Sequence, residues 1–115
     1  MALFIPSMSF AASWNSFPVD NYGDYTTQTF YNNGDPGISL WMNNNSESSR
    51  SYTIELEYRQ PSGRWTVIDE QSGSIRGGSS KSIYFNTDTY YKGNMRYVIT
   101  ASSSLKYDGK VSYYR

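Results

Sequence analysis

The chain contains no cysteine and no histidine. The first absence excludes disulfides and thiolate metal sites. The second excludes imidazole ligands and histidine general bases. Neither sign of charge is in excess: ten Lys plus Arg stand against ten Asp plus Glu, for a formal net charge of zero. A nucleic-acid partner, which is drawn by a positive field, is therefore not expected. Charged residues are only 17% of the chain, below the roughly 25% of an average domain. Solubility must then come from Ser, Thr, Asn, Gln and Tyr hydroxyls. Long apolar runs are missing as well, and no stretch approaches the ~18 residues of a membrane span. There is no G-x-S-x-G, H-E-x-x-H or P-loop pattern, so no catalytic residues and no cofactor are assigned.

What is present is aromatic. Phe, Trp and Tyr make up 17% of the chain, and twelve of these residues are Tyr. The 115 residues are the size of one domain, and such a domain buries a core without metal or disulfide staples. Residues 1–115 are accordingly read as one domain. The uncharged polarity points to an extracellular, secreted protein. The opening, with Ser9 and Ala11 in small-x-small form, reads either as a signal-peptide remnant or as an N-terminal strand, with residues 1–17 as the segment in question.

Apolar residues recur with period two almost throughout, the spacing of half-buried strands. Ile38, Leu40 and Met42 alternate with Ser39, Trp41 and Asn43. Tyr52, Ile54, Leu56 and Tyr58 alternate with Thr53, Glu55, Glu57 and Arg59. Further strands are expected at Thr26–Tyr31, Trp65–Ile68, Ser82–Phe85, Met95–Ala101 and Lys110–Tyr114. Turn-forming clusters separate them: Asn32–Gly37, Asn43–Ser49, Gln60–Gly63, Gly77–Gly78 and Lys92–Asn94. Asp108-Gly109 reads as a tight hairpin turn. The fold expected is all-β: an antiparallel two-sheet β-sandwich of about seven to eight strands, with a small β-barrel as the alternative. The expected core is Ile38, Leu40, Ile54, Leu56, Val67, Ile83, Phe85, Tyr97, Ile99 and Val111.

The last 40 or so residues carry a Gly-Gly-Ser-Ser turn (Gly77–Ser80), an Ile83/Phe85 strand, the run Arg96–Thr100, Ser102–Ser104 and a closing strand in Gly109–Tyr113. This pattern resembles the closing strands of small secreted bacterial and phage β-sandwiches of immunoglobulin-like type. The resemblance implies architecture and transfers no functional residue. The Cys–Trp–Cys arrangement of true immunoglobulin domains is absent.

Three sets of side chains are candidates for function. Glu55 and Glu57 point to one face of a strand, as a carboxylate pair could, but a solvated outer face accounts for them. Asp20, Asn21 and Asp24, with Asn33 and Asp35, offer oxygens in turns without ordered calcium spacing; turn chemistry accounts for these, and no metal site is assigned. The aromatics are more informative. Trp41, Tyr84, Val98, Ile68 and Tyr114 fall out of phase with the core residues of their strands, and outward rings make flat apolar platforms with polar edges. Phe4, Phe10, Trp14 and Phe17 could instead cover such rings. Ligand-binding residues are assigned as Trp41 and Tyr84, supported by Arg96 and by Tyr90 and Tyr91. The function expected is a non-enzymatic extracellular binding module for a glycan or cell-surface polymer. The alternative is a secreted interaction or assembly protein (matrix, toxin-like or phage structural component) that works by protein–protein contacts, self-association included.

Overall fold

The computed structural model describes residues 14–33, 37–87 and 91–114, with only the backbone of Trp14 and Tyr114. These residues form nine strands and no helix: β1 (Trp14–Tyr22), β2 (Tyr25–Thr26), β3 (Phe30–Asn32), β4 (Gly37–Asn44), β5 (Arg50–Arg59), β6 (Trp65–Ile75), β7 (Ser80–Asn86), β8 (Gly93–Ala101) and β9 (Lys106–Tyr114). One sheet has the order β1-β9-β4-β7. The other runs β2-β8-β5-β6, with β3 also paired to β8. All pairings are antiparallel. Two open sheets, each with its own edges, exclude the barrel alternative and establish the sandwich.

The sheets meet through the apolar faces that alternation marks. Ile38, Leu40, Ile54, Leu56, Ile83, Phe85, Tyr97, Ile99 and Val111 are all buried, joined by Met42, Met95 and Leu105. Aromatic contacts cross between the sheets: Phe85 of β7 lies 4.8 Å from Tyr97 of β8, and Phe30 of β3 lies 5.1 Å from Tyr113 of β9. At the open side, the Asp69 carboxylate of β6 accepts the Asn86 backbone N–H of β7 at 2.8 Å. The Gln60–Gly63 hairpin forms as its residues demand. Gly63 takes φ 90° and donates to the Gln60 carbonyl at 2.8 Å, a conformation for which glycine alone carries no steric penalty.

Four expectations need correction. Val67 is 44% exposed rather than core. The β5–β6 register slips there: Leu56 faces Asp69 while Glu57 faces Val67, so Ile68 is the extra residue of a bulge. The slip reverses parity, and Ile68 packs against the core. Second, Asp108-Gly109 is no turn but lies inside β9; the chain reverses at Ser102–Leu105, where Leu105 N–H donates to the Ser102 carbonyl. Third, the expected Thr26–Tyr31 strand is broken into β2 and β3. Thr27 still donates its N–H to the Tyr97 carbonyl at 2.9 Å, but its hydroxyl rather than its backbone carbonyl accepts the Tyr97 N–H, at 3.0 Å. Fourth, Phe17 covers no outward ring. It lies in β1 and packs against Phe30 and Tyr113 at 5.8 and 6.0 Å. Of the segment 1–17, residues 14–17 thus belong to a strand, while Phe4 and Phe10 lie outside the described residues.

Tyr107 of β9 is almost fully buried. Its buried phenol donates to the Gly23 carbonyl at 3.0 Å. Burial pushes its pKa up to about 12, against a smaller lowering by the Asn21 side chain. A tyrosine in the unfolded chain ionises near 10, so the stability held by the neutral phenol is complete below about pH 10 and is lost as pH rises through about 12. The denaturant midpoint should therefore stay level to about pH 9.5 and then fall, and it should fall less in Tyr107→Phe. Identical alkaline profiles for the two proteins would acquit this residue.

Candidate functional site

The outer face of the four-stranded sheet is set by the even-numbered positions of β1, β9 and β7 and the odd-numbered positions of β4. The ladder registers align them in rows across the sheet. Ser16, Ser112, Ser39 and Tyr84 form the first row, and Pro18, Lys110, Trp41 and Ser82 the second. Asp20, Asp108, Asn43 and Ser80 form the third, and Tyr22 stands beside Lys106 in the fourth. Trp41 and Tyr84 are therefore diagonal neighbours on adjacent strands, a separation of about 7–8 Å. Trp41 keeps 38% of its surface exposed and Tyr84 keeps 72%. Their flanking residues Leu40, Met42, Ile83 and Phe85 are buried, so core packing holds the two strands that present the rings.

Around the rings the face is mixed: Ser16, Ser39, Ser82 and Ser112 are polar, while the depression beside Trp41 is lined mainly by apolar surface. Trp41 borders a shallow depression of ≈ 280 Å³ shared with Ser16, Phe17, Pro18, Gly109 and Lys110. A second depression of ≈ 360 Å³ lies further along, lined by Asp20, Asn21, Tyr22, Asn45, Lys106 and Tyr107. Between them stands Asp108. Its carboxylate accepts Asn45 Nδ2 at 2.7 Å and Asn43 Nδ2 at 3.2 Å. These two amides hold its pKa below the usual carboxylate value. An ionised Asp108 with two fixed amide partners is a ready acceptor for hydroxyl donors.

The remaining assigned residues do not join this face. Arg96 lies on β8, between the buried Met95 and Tyr97, and so points from the outer face of the other sheet. There its Nε meets Glu57 Oε1 at 2.6 Å, and its guanidinium lies over the Trp65 ring at 4.0 Å. This pairing also engages Glu57, so the Glu55/Glu57 pair is not a free acid–base couple. Tyr91 is no loop-tip ring: it packs edge-on against Tyr58 with centroids 5.1 Å apart. Tyr90 and Asp35 lie outside the described residues, as does the Tyr114 side chain. In the acidic turn, the Asp24 carboxylate accepts the Ala101 N–H at the end of β8 at 2.9 Å, a long-range bond that ties the turn to the sheet.

Two features of the face escape single-sequence reading. Tyr22 is 66% exposed, and its signal was available: alternation from Phe17 and Val19 places it outward, once that segment is read as a strand. The Asp108–Asn43–Asn45 cluster was hidden because Asp108-Gly109 carries a turn signature and Asn43–Asn45 a loop signature.

No family model matches the sequence, and no curated protein matches it. Solved structures do share its fold. A protein of Sulfurospirillum deleyianum superposes with a TM-score of 0.59 at 8% identity, covering 86% of this chain and 96% of the other. The SPBc2 prophage-derived protein YomS gives 0.50 at 16% identity, covering 88% and 94%. The CBM22-1–GH10 modules of Clostridium thermocellum xylanase 10B, complexed with xylohexaose, give 0.49 at 11% identity over 91% of this chain and 28% of theirs, a likeness too loose to bear on function. At these identities the first two establish a common β-sandwich fold and nothing further.

Proposed function

We propose that the chain is a non-enzymatic binding module, acting outside the cell, that holds a glycan on the outer face of its four-stranded sheet. The observation that carries this reading is the exposed diagonal pair of Trp41 and Tyr84, set among short hydroxyl side chains. A sugar ring has apolar C–H faces that lie flat on an aromatic ring and hydroxyls around its rim. The pair supplies the platforms, while Ser39, Ser82 and Lys110 supply polar partners alongside. Strand addition, the simplest route for an assembly protein, meets obstacles at two of the sheet edges. Pro18 interrupts the donors of edge strand β1, and a bulge with Asp69 and Glu70 breaks up β6.

Retention on insoluble polysaccharides (cellulose, xylan, chitin, mannan) tests the reading. Trp41→Ala should abolish retention and Tyr84→Ala should weaken it. Because Tyr84 is so exposed, its replacement should change unfolding free energy by less than about 1 kcal/mol. Retention unchanged in both variants would defeat the proposal. Self-association that both variants abolish would favour the assembly alternative.

A further inference from the structure

We infer that the ligand is an extended, uncharged polysaccharide chain that crosses the sheet diagonally from Tyr84 over Trp41 and Asp108 to Tyr22; this rests on the glycan reading above. The rows across the sheet establish the path. Tyr84 stands on β7 in the first row, Trp41 on β4 in the second, Asp108 on β9 in the third and Tyr22 on β1 in the fourth. Each step moves one strand sideways and two residues along, so the four positions lie on one diagonal. With strands about 4.8 Å apart and a rise of about 3.3 Å per residue, each step is about 8 Å and the whole line about 25 Å.

Along the line two rings, Tyr84 and Trp41, are followed by a carboxylate, Asp108, and then a third ring, Tyr22. Exposed rings occupy both ends, with Tyr84 at 72% and Tyr22 at 66% exposure, and Trp41 lies inside one of them. The middle is the hydrogen-bonding cluster in which Asn43 and Asn45 fix the Asp108 carboxylate. The depression beside Trp41 and the one beside Tyr22 flank this cluster on either side. A line of this length exceeds what a mono- or disaccharide covers, and among the described residues no strand lies beyond β1 or β7 to close either end. The face therefore suits the interior of a long chain rather than a chain end. Charge selects among such chains. Lys106 and Lys110 on this face are matched by Asp20 and Asp108, so it offers no net field to attract a polyanion.

A size series of cello-, xylo- and manno-oligosaccharides, from disaccharide to hexasaccharide, with heparin oligosaccharides as the charged comparison, tests the path by calorimetry. The wild-type protein should bind one neutral series with affinity rising by roughly tenfold or more from the shortest to the longest member. Tyr22→Ala should bind the short members as the wild type does and lose most of the gain with length. Trp41→Ala should lose affinity at every length, and thermal unfolding should find Tyr22→Ala folded as the wild type. If Trp41→Ala loses binding while Tyr22→Ala follows the wild type at all lengths, the extended path is wrong and the Trp41–Tyr84 site stands. Tighter binding of heparin than of any neutral series overturns the choice of an uncharged ligand. Failure of the wild type to bind any saccharide overturns both readings.

Discussion

Replacing Gly109 by alanine is expected to destabilise the protein by about 3 kcal/mol or more, at the upper end of what overpacking costs. Gly109 sits inside β9, paired to Val19 of β1 on one side and to Met42 of β4 on the other. A Cβ at this position would fall directly on the Trp41 carbonyl oxygen, with Met42 Cα 3.4 Å away. Those are backbone atoms of the neighbouring strand, so no rotamer change makes room. Relief requires β4 and β9 to separate, and these are the two central strands of the sheet. For a chain of this size, the melting temperature should fall by more than about 10 °C. Lys110→Ala, one residue on with its side chain outward, should stay within about 0.5 kcal/mol. A loss below about 1 kcal/mol for Gly109→Ala would mean that the strands yield more easily than their packing implies. The same change would also displace the Trp41 backbone, so residual folded protein should bind ligand poorly.

Asn44→Ala should cost about 3–4 kcal/mol, although an asparagine in a polar Asn-Asn-Asn run suggests a tolerant loop. The side chain is fully buried. Its amide donates to the Ile75 carbonyl at 2.8 Å and the Ser48 carbonyl at 3.1 Å, and its oxygen accepts the Ser46 N–H at 2.8 Å. Its own backbone bonds Ser79 and Gly78. One residue thus joins the β4–β5 loop, the end of β6 and the β6–β7 turn. Alanine strands several backbone groups at once, each costing about 1–3 kcal/mol where water cannot reach. Asn44→Asp should be no better, because a carboxylate would face the Ile75 and Ser48 carbonyls without a donor to offer them. Chemical denaturation of the two variants checks this. An aspartate variant as stable as the wild type would show that water enters the site.

Much of the fold is legible in the alternation. Strands β4, β5, β7 and β8 were readable because Ile38–Asn43, Tyr52–Arg59, Ile83–Phe85 and Met95–Ala101 keep strict period two, and their inward residues are the buried ones. The reading failed where a local signal competes with a tertiary one. Asp108-Gly109 has the composition of a tight turn, yet the glycine is there because a neighbouring carbonyl leaves no space for a Cβ. Val67 has the right parity for the core, yet a one-residue bulge turns it out and Ile68 in. Neither event leaves a trace in the spacing of apolar residues.

The sequence by itself determined that this is a β protein without thiol or imidazole chemistry, and that Trp41 and Tyr84 face away from the core. Parity is a local property: the residue next to a buried one on a strand must point the other way. Only the tertiary structure decided which strands lie side by side. Backbone hydrogen bonds are alike for every pair of strands, so partners and register follow from how the whole apolar surface is best covered. That choice placed β4, β7 and β9 in one sheet and β8 in the other. It sent Arg96 to the far side of the sandwich, and it brought Tyr84, Trp41, Asp108 and Tyr22 onto a single diagonal.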